Sequence, residues 1–192
     1  ARLGMTALYN DAVTVGLEVD LLESEGSALH EAYLGWENRW AMVYGGLVKA
    51  PLSRSALFSS QSLQLGERSI GIQGIAPFQQ LGVLVGAQFW DKRIRLLTGA
   101  FNGMQRGNTV SGGYSRIDPS VGNRFGGVAI SSRIDIEPLG LLGAGASDLR
   151  HSPEPKIGIG GGVLANRGTT IRGLAIAADV AFKWKGFSMI AE

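Results

Sequence analysis

The chain has 192 residues and no cysteine, so it can form one domain with a hydrophobic core but no disulfide or thiolate metal site. Its formal charge of +2, with dispersed lysines and arginines, argues against a nucleic-acid partner, and its two histidines exclude a histidine-rich metal cluster. Charged residues make up 18%, whereas soluble domains average roughly 25%. No uninterrupted apolar run approaches the roughly 18 residues of a transmembrane helix.

The predicted strands follow one another in chain order, each with apolar residues at every second position. The first runs from Arg2 to Asn10, and the second, Val13–Leu21, alternates apolar residues with Glu18 and Asp20. After an exposed loop, the third strand covers Leu29–Glu37. Carboxylates at every second position are rare on a packed soluble face, and they are typical of a wet lumen.

The fourth predicted strand begins at the second of two tryptophans, Trp36 and Trp40, that flank a short turn. Alternation counted from Trp40 assigns three later residues to the outer face: Met42, Tyr44 and Val48. It assigns Lys49 to the inner face. The tryptophans lie where an aromatic girdle meets a membrane interface. A cross-strand pair in a soluble hairpin is the alternative.

Residues 50–80 form a long insertion, of the kind that is usually functional. Two further strands, Leu81–Trp90 and Arg93–Asn102, are joined by a short turn. Residues 103–124 form a second long loop, and Val128–Glu137 is the next strand. The turns therefore alternate between short and long, as they do in outer-membrane barrels.

The region 141–166 allows two interpretations. LLGAGASDL and KIGIGGGVL are either two strands around RHSPEP or one strand with an irregular interruption. Two strands would place the tight turn at Lys185–Gly186 on the side of the long loops, where a tight turn is not expected. Residues 174–192 form a predicted hairpin with Asp179 and Lys183 on its polar face.

This pattern predicts an all-β fold, with residues 1–192 forming a single domain of about ten strands. Membrane character without a transmembrane helix favours a transmembrane, antiparallel, up-and-down β-barrel, because a closed barrel satisfies every backbone polar group in lipid. A soluble β-sandwich is the alternative. We expect no enzyme, cofactor or metal site, because nucleophile-elbow, P-loop and zinc-protease patterns are absent.

Basic residues near the expected lumen form the candidate functional site. They lie on inward strand positions or on loops and rims: Lys49, Arg54, Arg68, Arg95, Arg106, Arg116 and Arg133. Rings of arginine and lysine select anions in pores, and a guanidinium matches phosphate or carboxylate oxygens in pairs. Inward acids, among them Glu31 and Asp135, dilute this positive charge. Simple pairing of the loop arginines with Glu67 or solvent is the alternative.

Four motifs occur in the order EAYLGW, GGLVKAPLSRSALFSSQSLQLGERSI, TGAFNG and KWKGFSMIAE. Together they resemble the phosphate-selective porin O and P family of Gram-negative outer membranes. The resemblance implies a larger barrel of about sixteen strands, assembled as a homotrimer in contact with the lipid bilayer and lipopolysaccharide. It also implies a loop folded into the lumen, which would be Pro51–Ser69, with Lys49, Arg54 and Arg68 near the narrowest zone.

The expected function is passive diffusion of small solutes across the cell outer membrane, favouring anions such as phosphate. A structural outer-membrane barrel that anchors or docks another cell-envelope complex is the alternative. Open sheet edges in lipid are prohibitive, and about ten strands would enclose only a narrow interior. We therefore expect the chain to be part of a longer one whose remaining strands close the barrel.

Overall fold

The computed structural model describes residues 2–21, 29–59, 62–64, 68–103, 126–168 and 172–192. Ten strands form one antiparallel sheet in which each strand pairs with its neighbours in sequence. The strands are β1 Arg2–Tyr9, β2 Val13–Asp20, β3 Leu29–Glu37, β4 Ala41–Lys49, β5 Gln79–Phe89, β6 Ile94–Asn102, β7 Val128–Ile136, β8 Lys156–Arg167, β9 Arg172–Trp184 and β10 Phe187–Ala191. The prediction of an all-β, up-and-down sheet of about ten strands is confirmed.

Two short helices, α1 Arg54–Leu57 and α2 Ile70–Ile75, lie between β4 and β5. No helix in the described part of the chain is long and apolar enough to span a membrane. The strand pairings run from β1 to β10, and none of those described joins these two strands to each other. The sheet is therefore open within the described residues.

Because the sheet is up-and-down, its connections alternate between two ends. The short-turn end carries the turns 10–12, 38–40, 90–93 and 185–186, together with the longer connection 137–155. The long-loop end carries residues 50–78 and the connections from β2 to β3, from β6 to β7 and from β8 to β9. The long loop predicted at 103–124 lies, from residue 104 onward, outside the described residues.

The two faces of the sheet differ in chemistry. One, here called the apolar face, carries exposed aliphatic side chains on nearly every strand: Leu3, Met5, Val15, Leu17, Leu34, Val43, Val83, Val85, Leu96, Ile130, Ile134, Ile159, Val163, Leu174, Ile176 and Val180. The other, here called the polar face, carries buried polar groups such as Gln80, Arg133 and Asp179. Four residues predicted to face inward on β7 and β9 lie on this polar face, as predicted: Arg133, Asp135, Asp179 and Lys183.

The predicted outward orientation of Met42, Tyr44 and Val48 on β4 is wrong, whereas the Lys49 side chain reaches Glu31 on the polar face, as predicted. Strand pairing sets Glu37 opposite Met42, so the even-numbered residues of β4 share the polar face. The Tyr44 hydroxyl donates a hydrogen bond of 3.0 Å to Glu37 there, and Val48 is buried in the core on that face. Trp40 belongs to the turn, and it therefore does not set the phase of the strand that follows.

Glycines on the polar face make room for large side chains of the neighbouring strand. A Cβ added at Gly35 would lie 2.3 Å from the ring of Tyr44, and one at Gly16 would lie 2.4 Å from the ring of Tyr33. The two tyrosine rings then meet edge to face, with centroids 5.7 Å apart. The high glycine content is thus partly a packing requirement.

The ambiguous region 141–166 contains a single strand, β8, which is preceded by an irregular connection over residues 137–155. This arrangement places the Lys185–Gly186 turn at the short-turn end, where a tight hairpin is expected. Both residues have positive φ, 48° and 89°. Positive φ at both central positions is the geometry that matches the twist of a two-residue hairpin.

Candidate functional site

The described part of residues 50–78, here called the inward segment, folds from the long-loop end onto the polar face. The Oγ atom of Ser53 caps α1 by accepting a hydrogen bond of 3.2 Å from the Ala56 amide. The hydrophobic core lies between the segment and the strands: Val48, Ala50, Leu52, Ala56, Ile72, Ala76, Phe101, Ala129 and Leu164. Burial of these side chains holds the segment against the sheet.

Arg54, in α1, joins the inward segment to three carboxylates of the sheet and its rim. Its Nε, Nη1 and Nη2 atoms donate hydrogen bonds to Asp179 at 2.8 Å, to Glu137 at 2.9 Å and to Asp135 at 2.9 Å. None of the four side chains is more than 5% exposed. A planar guanidinium with donors in three directions suits this task, which the single ammonium of a lysine could not reproduce.

The environment of Arg54 stabilises its charged form. Burial lowers the pKa of the guanidinium, but the hydrogen bond to Asp179 and the charge of Asp135 outweigh that effect and raise the pKa above its ordinary value. Arg54 is therefore charged at neutral pH, where it can pair with the three carboxylates.

Arg133, on β7, binds both the carboxylates and the inward segment. Its Nη2 atom lies 2.7 Å from Asp135, its Nη1 atom lies 2.6 Å from Asp179, and Nη1 also donates to the carbonyl of Leu52 at 3.0 Å. The carbonyl of Leu52 lies close to the sheet, since a Cβ added at Gly162 would be only 2.1 Å from it. The segment therefore approaches the sheet at a point where only glycine fits.

Arg95 completes the charge cluster more loosely. Its Nη2 atom is 3.9 Å from Asp135 and 3.7 Å from Glu137, and its side chain is 37% exposed. Three arginines thus face three carboxylates in a cluster that we call the ionic anchor: Arg54, Arg95, Arg133, Asp135, Glu137 and Asp179. The formal charges of the six side chains sum to zero.

Lys49 holds the inward segment from the end of β4. Its Nζ atom donates to the carbonyls of Leu57 and Phe58, each at 3.2 Å, and lies 3.5 Å from the Glu31 carboxylate. The two carbonyls belong to the last residue of α1 and to its C-cap, where a helix leaves acceptors without intrahelical donors. Lys49 therefore satisfies the end of the helix as well as an acid on β3.

Arg68 braces the inward segment internally. Its Nε atom donates to the carbonyl of Ser55 at 2.9 Å and its Nη2 atom donates to that of Phe58 at 2.7 Å. Its guanidinium also lies 5.0 Å from the ring centroid of Phe78. Burial, followed by the nearby charge of Arg2, lowers the pKa of Arg68. These contacts connect α1 to the residues of the inward segment that precede β5.

The inward segment also reaches the last strand of the sheet. The Ser55 amide donates to the Glu192 carboxylate at 2.7 Å, and the Ser55 hydroxyl bonds to the same group. The side-chain amide of Gln64 donates to the Ser188 carbonyl at 2.9 Å. The segment therefore extends over the polar face from β4 and β5 to β10.

A second connection, residues 137–155, folds inward from the opposite end and is here called the second segment. The Ala146 amide donates to the carbonyl of Ser62 in the inward segment at 2.8 Å. The buried Lys183 holds the second segment by donating to the carbonyls of Leu142 at 3.1 Å and Gly145 at 2.8 Å. The two segments therefore meet over the polar face.

Asp148 fixes the second segment to the β9–β10 hairpin. Its carboxylate accepts hydrogen bonds from the Ser152 amide and hydroxyl, and from the Gly186 amide at 2.9 Å. Burial tends to raise the pKa of Asp148, but these hydrogen bonds prevail and lower it below its ordinary value. The carboxylate thus serves as a cap for two adjacent turns.

The structure brings five of the predicted basic residues together around the inward segment: Lys49, Arg54, Arg68, Arg95 and Arg133. Arg106 and Arg116 lie outside the described residues. Sequence reasoning missed that Asp135, Glu137 and Asp179 converge on one arginine. The spacing of Arg133, Asp135 and Glu137 at alternate positions was the available signal, because such residues share one face of a strand.

The described residues contain no group of three or more acidic or histidine side chains arranged to hold a metal ion. Comparison of the chain with protein-family models, with curated proteins and with solved structures found no match. The resemblance to phosphate-selective porins therefore stays a prediction.

Proposed function

We propose that the chain forms the wall of a β-barrel channel in the outer membrane, through which small solutes diffuse passively. The support comes from the two faces of the sheet. Exposed aliphatic side chains lie on one face of nearly every strand, and contiguous exposed apolar surface of this kind marks contact with a membrane or a partner. Strands with lipid-facing apolar residues and polar residues on the other face are typical of membrane barrels.

The ionic anchor is the observation that carries the proposal. It seats the inward segment on the polar face by three charged hydrogen bonds from Arg54 to buried carboxylates. A segment held against the inner wall of a barrel narrows its lumen. Its position then sets the size of the solute that passes.

The preference for anions remains a prediction, and so do the homotrimer and the contact with lipopolysaccharide. Arg54 and Arg133 are fully engaged with carboxylates. A preference for anions therefore depends on Arg95, which is partly exposed and lies beyond hydrogen-bond distance from its acidic neighbours. An exposed guanidinium in a pore lowers the barrier to an anion.

Reversal potentials in a potassium chloride gradient across a planar bilayer test the channel. We expect discrete conductance steps and a reversal potential whose sign indicates chloride permeation. Arg95→Gln should lower the ratio of anion to cation permeability, whereas Arg150→Gln, which removes an exposed arginine of the second segment, should leave it unchanged. Absence of conductance, or cation selectivity in the unmodified chain, would contradict the proposal.

A structural barrel is the second candidate, and the contact between the two segments favours it. Because the amide of Ala146 bonds to the carbonyl of Ser62, segments from both ends together cover the polar face. A lumen filled in this way would not conduct. Stable co-purification of an envelope protein with a non-conducting chain would support this function over the channel.

A further inference from the structure

The exposed aromatic side chains of the described residues all lie at the short-turn end. There are seven of them, at or beside the turns that follow β1, β3, β5 and β9: Tyr9, Trp36, Trp40, Phe89, Trp90, Trp184 and Phe187. They include all four tryptophans of the chain. The exposed apolar residues described at the long-loop end, such as Val128 and Leu174, are aliphatic. Tryptophan and tyrosine favour the head-group level of a bilayer because one part of each ring system is apolar and another is polar.

Cations accompany the tryptophans on three of these turns. In each case the charged group lies 4.8 to 5.1 Å from a ring centroid: Arg39 over Trp40, Arg93 over Trp90 and Lys185 over Trp184. Stacking on a ring face leaves the edge of a guanidinium able to donate hydrogen bonds elsewhere. The short-turn end therefore combines interfacial aromatic groups with oriented positive charge.

A cleft of about 200 Å³ lies between two of these turns, 38–40 and 90–93. Six residues line it: Arg39, Trp40, Gln88, Phe89, Asp91 and Lys92. Lys92 is bound to Glu37 at 2.6 Å. Arg39 lies 3.9 Å from Asp91, and both side chains are more than 70% exposed, so this pair is weak. Lys92 is neutralised by its close pair with Glu37, so Arg39 is the cation of the cleft whose charge is less compensated.

We propose that this cleft binds the phosphodiester head group of an anionic phospholipid, with Arg39 as its main contact. The proposal rests on the membrane placement proposed above. Charge complementarity favours an anionic group at Arg39, whose planar donors match two phosphate oxygens. The exposed rings of Trp40 and Phe89 lie beside the apolar face, where the acyl chains of the same lipid would extend. Inorganic phosphate would gain nothing from these rings.

Titration of phosphatidylglycerol into the full chain in a neutral detergent, with bound lipid counted by native mass spectrometry, tests the proposal. We expect Arg39→Gln to weaken lipid binding about five-fold, because one arginine near an anionic lipid surface contributes about that factor to the affinity. Arg172→Gln is the matched control, because it removes an exposed arginine at the long-loop end. It should leave binding unchanged, and a large excess of inorganic phosphate should not displace the lipid.

Three results would overturn the proposal: unchanged binding by Arg39→Gln, an equal loss in Arg172→Gln, or displacement of the lipid by inorganic phosphate. Bilayer conductance of the same preparations separates this proposal from that of the channel. Lipid binding that depends on Arg39 in a non-conducting chain would refute the channel alone. Normal conductance without any dependence of lipid binding on Arg39 would refute the lipid site alone.

Discussion

Replacing Arg54 by glutamine tests whether the ionic anchor holds the inward segment in place. The substitution removes three charged hydrogen bonds, of 2.8, 2.9 and 2.9 Å. It leaves Arg95 and Arg133 facing three carboxylates, so the cluster carries one uncompensated negative charge. Two of those carboxylates lie on strands of the sheet, at Asp135 and Asp179.

Removal of one partner from a buried ion pair costs about 3–5 kcal/mol, because the remaining charge stays buried without compensation. Release of the inward segment avoids this cost, since water then reaches the carboxylates. The strand pairings of the sheet do not involve Arg54, so we expect local release and not global unfolding. A cost of about 3 kcal/mol raises the released population about 100-fold.

Limited trypsin digestion in detergent measures this population. The seated segment protects the bond after Arg68, because the guanidinium that trypsin must bind is held by the carbonyls of Ser55 and Phe58. Cleavage there follows the population of the released state when opening and closing are fast. We expect a rate about 100-fold higher in Arg54→Gln, an unchanged far-ultraviolet circular dichroism spectrum, and a wild-type rate in the control Arg150→Gln.

The double variant Arg54→Gln/Asp179→Asn supplies a rescue. It restores the charge balance to two arginines and two carboxylates, and we expect cleavage at least ten times slower than in Arg54→Gln alone. A wild-type cleavage rate in Arg54→Gln would show that the anchor does not hold the segment. Loss of the circular dichroism spectrum would show that the sheet itself depends on the anchor, and it would refute the premise of local release.

Two further predictions concern the contacts of the two segments. Gly162→Ala places a methyl group where a carbonyl of the inward segment would be 2.1 Å away, and we expect it to unseat the segment at a cost of about 1–3 kcal/mol. Gly161→Ala is the control in the same digestion assay, since its nearest contact is 3.7 Å, and equal effects of the two would contradict the argument. For Asp148, the lowered folded pKa means that its stabilisation is complete above the pKa of an unfolded aspartate and is lost as the pH falls through the folded value. Protection of the β9–β10 turn amides from hydrogen exchange, measured relative to the intrinsic exchange rate at each pH, should therefore fall in acid, and Asp148→Asn should abolish that dependence; an equally steep loss of protection in the variant would show that another group is responsible.

Alternation alone predicted the faces of β7 because its two sides differ clearly. Ile134 lies on the apolar face, and Arg133 and Asp135 lie on the polar face, as their positions indicated. The same reasoning failed on β4, where Gly45 and Gly46 carry no side chain to mark a face. The register of that strand is set by hydrogen bonds in the preceding turn, which alternation does not reveal.

The sequence LLGAGASDL resembles a strand in composition, but three glycines in and before it adopt positive φ, unlike the negative φ of regular extended backbone. The φ angles of Gly140, Gly143 and Gly145 are 116°, 74° and 92°. The sequence does not reveal whether a glycine adopts positive or negative φ, because glycine populates the two signs about equally. For this reason the connection 137–155 could not be told from a strand beforehand.

The partners of Arg54 could not be predicted either, because they lie 81, 83 and 125 residues away in sequence. Only the assembled sheet brings β7 and β9 beneath α1. The sequence does show acidic residues at inward positions of β7 and β9. These carboxylates need a cation as partner once a segment covers them. In the structure Arg54 of the inward segment supplies one compensating charge, and the strand residues Arg95 and Arg133 supply the other two.

The two segments share the Glu137 carboxylate but otherwise have different anchoring groups, and this difference distinguishes the two candidate functions. Arg54 holds the inward segment, whereas Asp148 and Lys183 hold the second segment. In a channel narrowed by the inward segment alone, release at Arg54 should raise conductance while the second segment stays in place. In a plugged structural barrel the second segment would still cover the polar face, so the same release should leave conductance absent. The response of conductance to one arginine therefore separates a constriction from a plug.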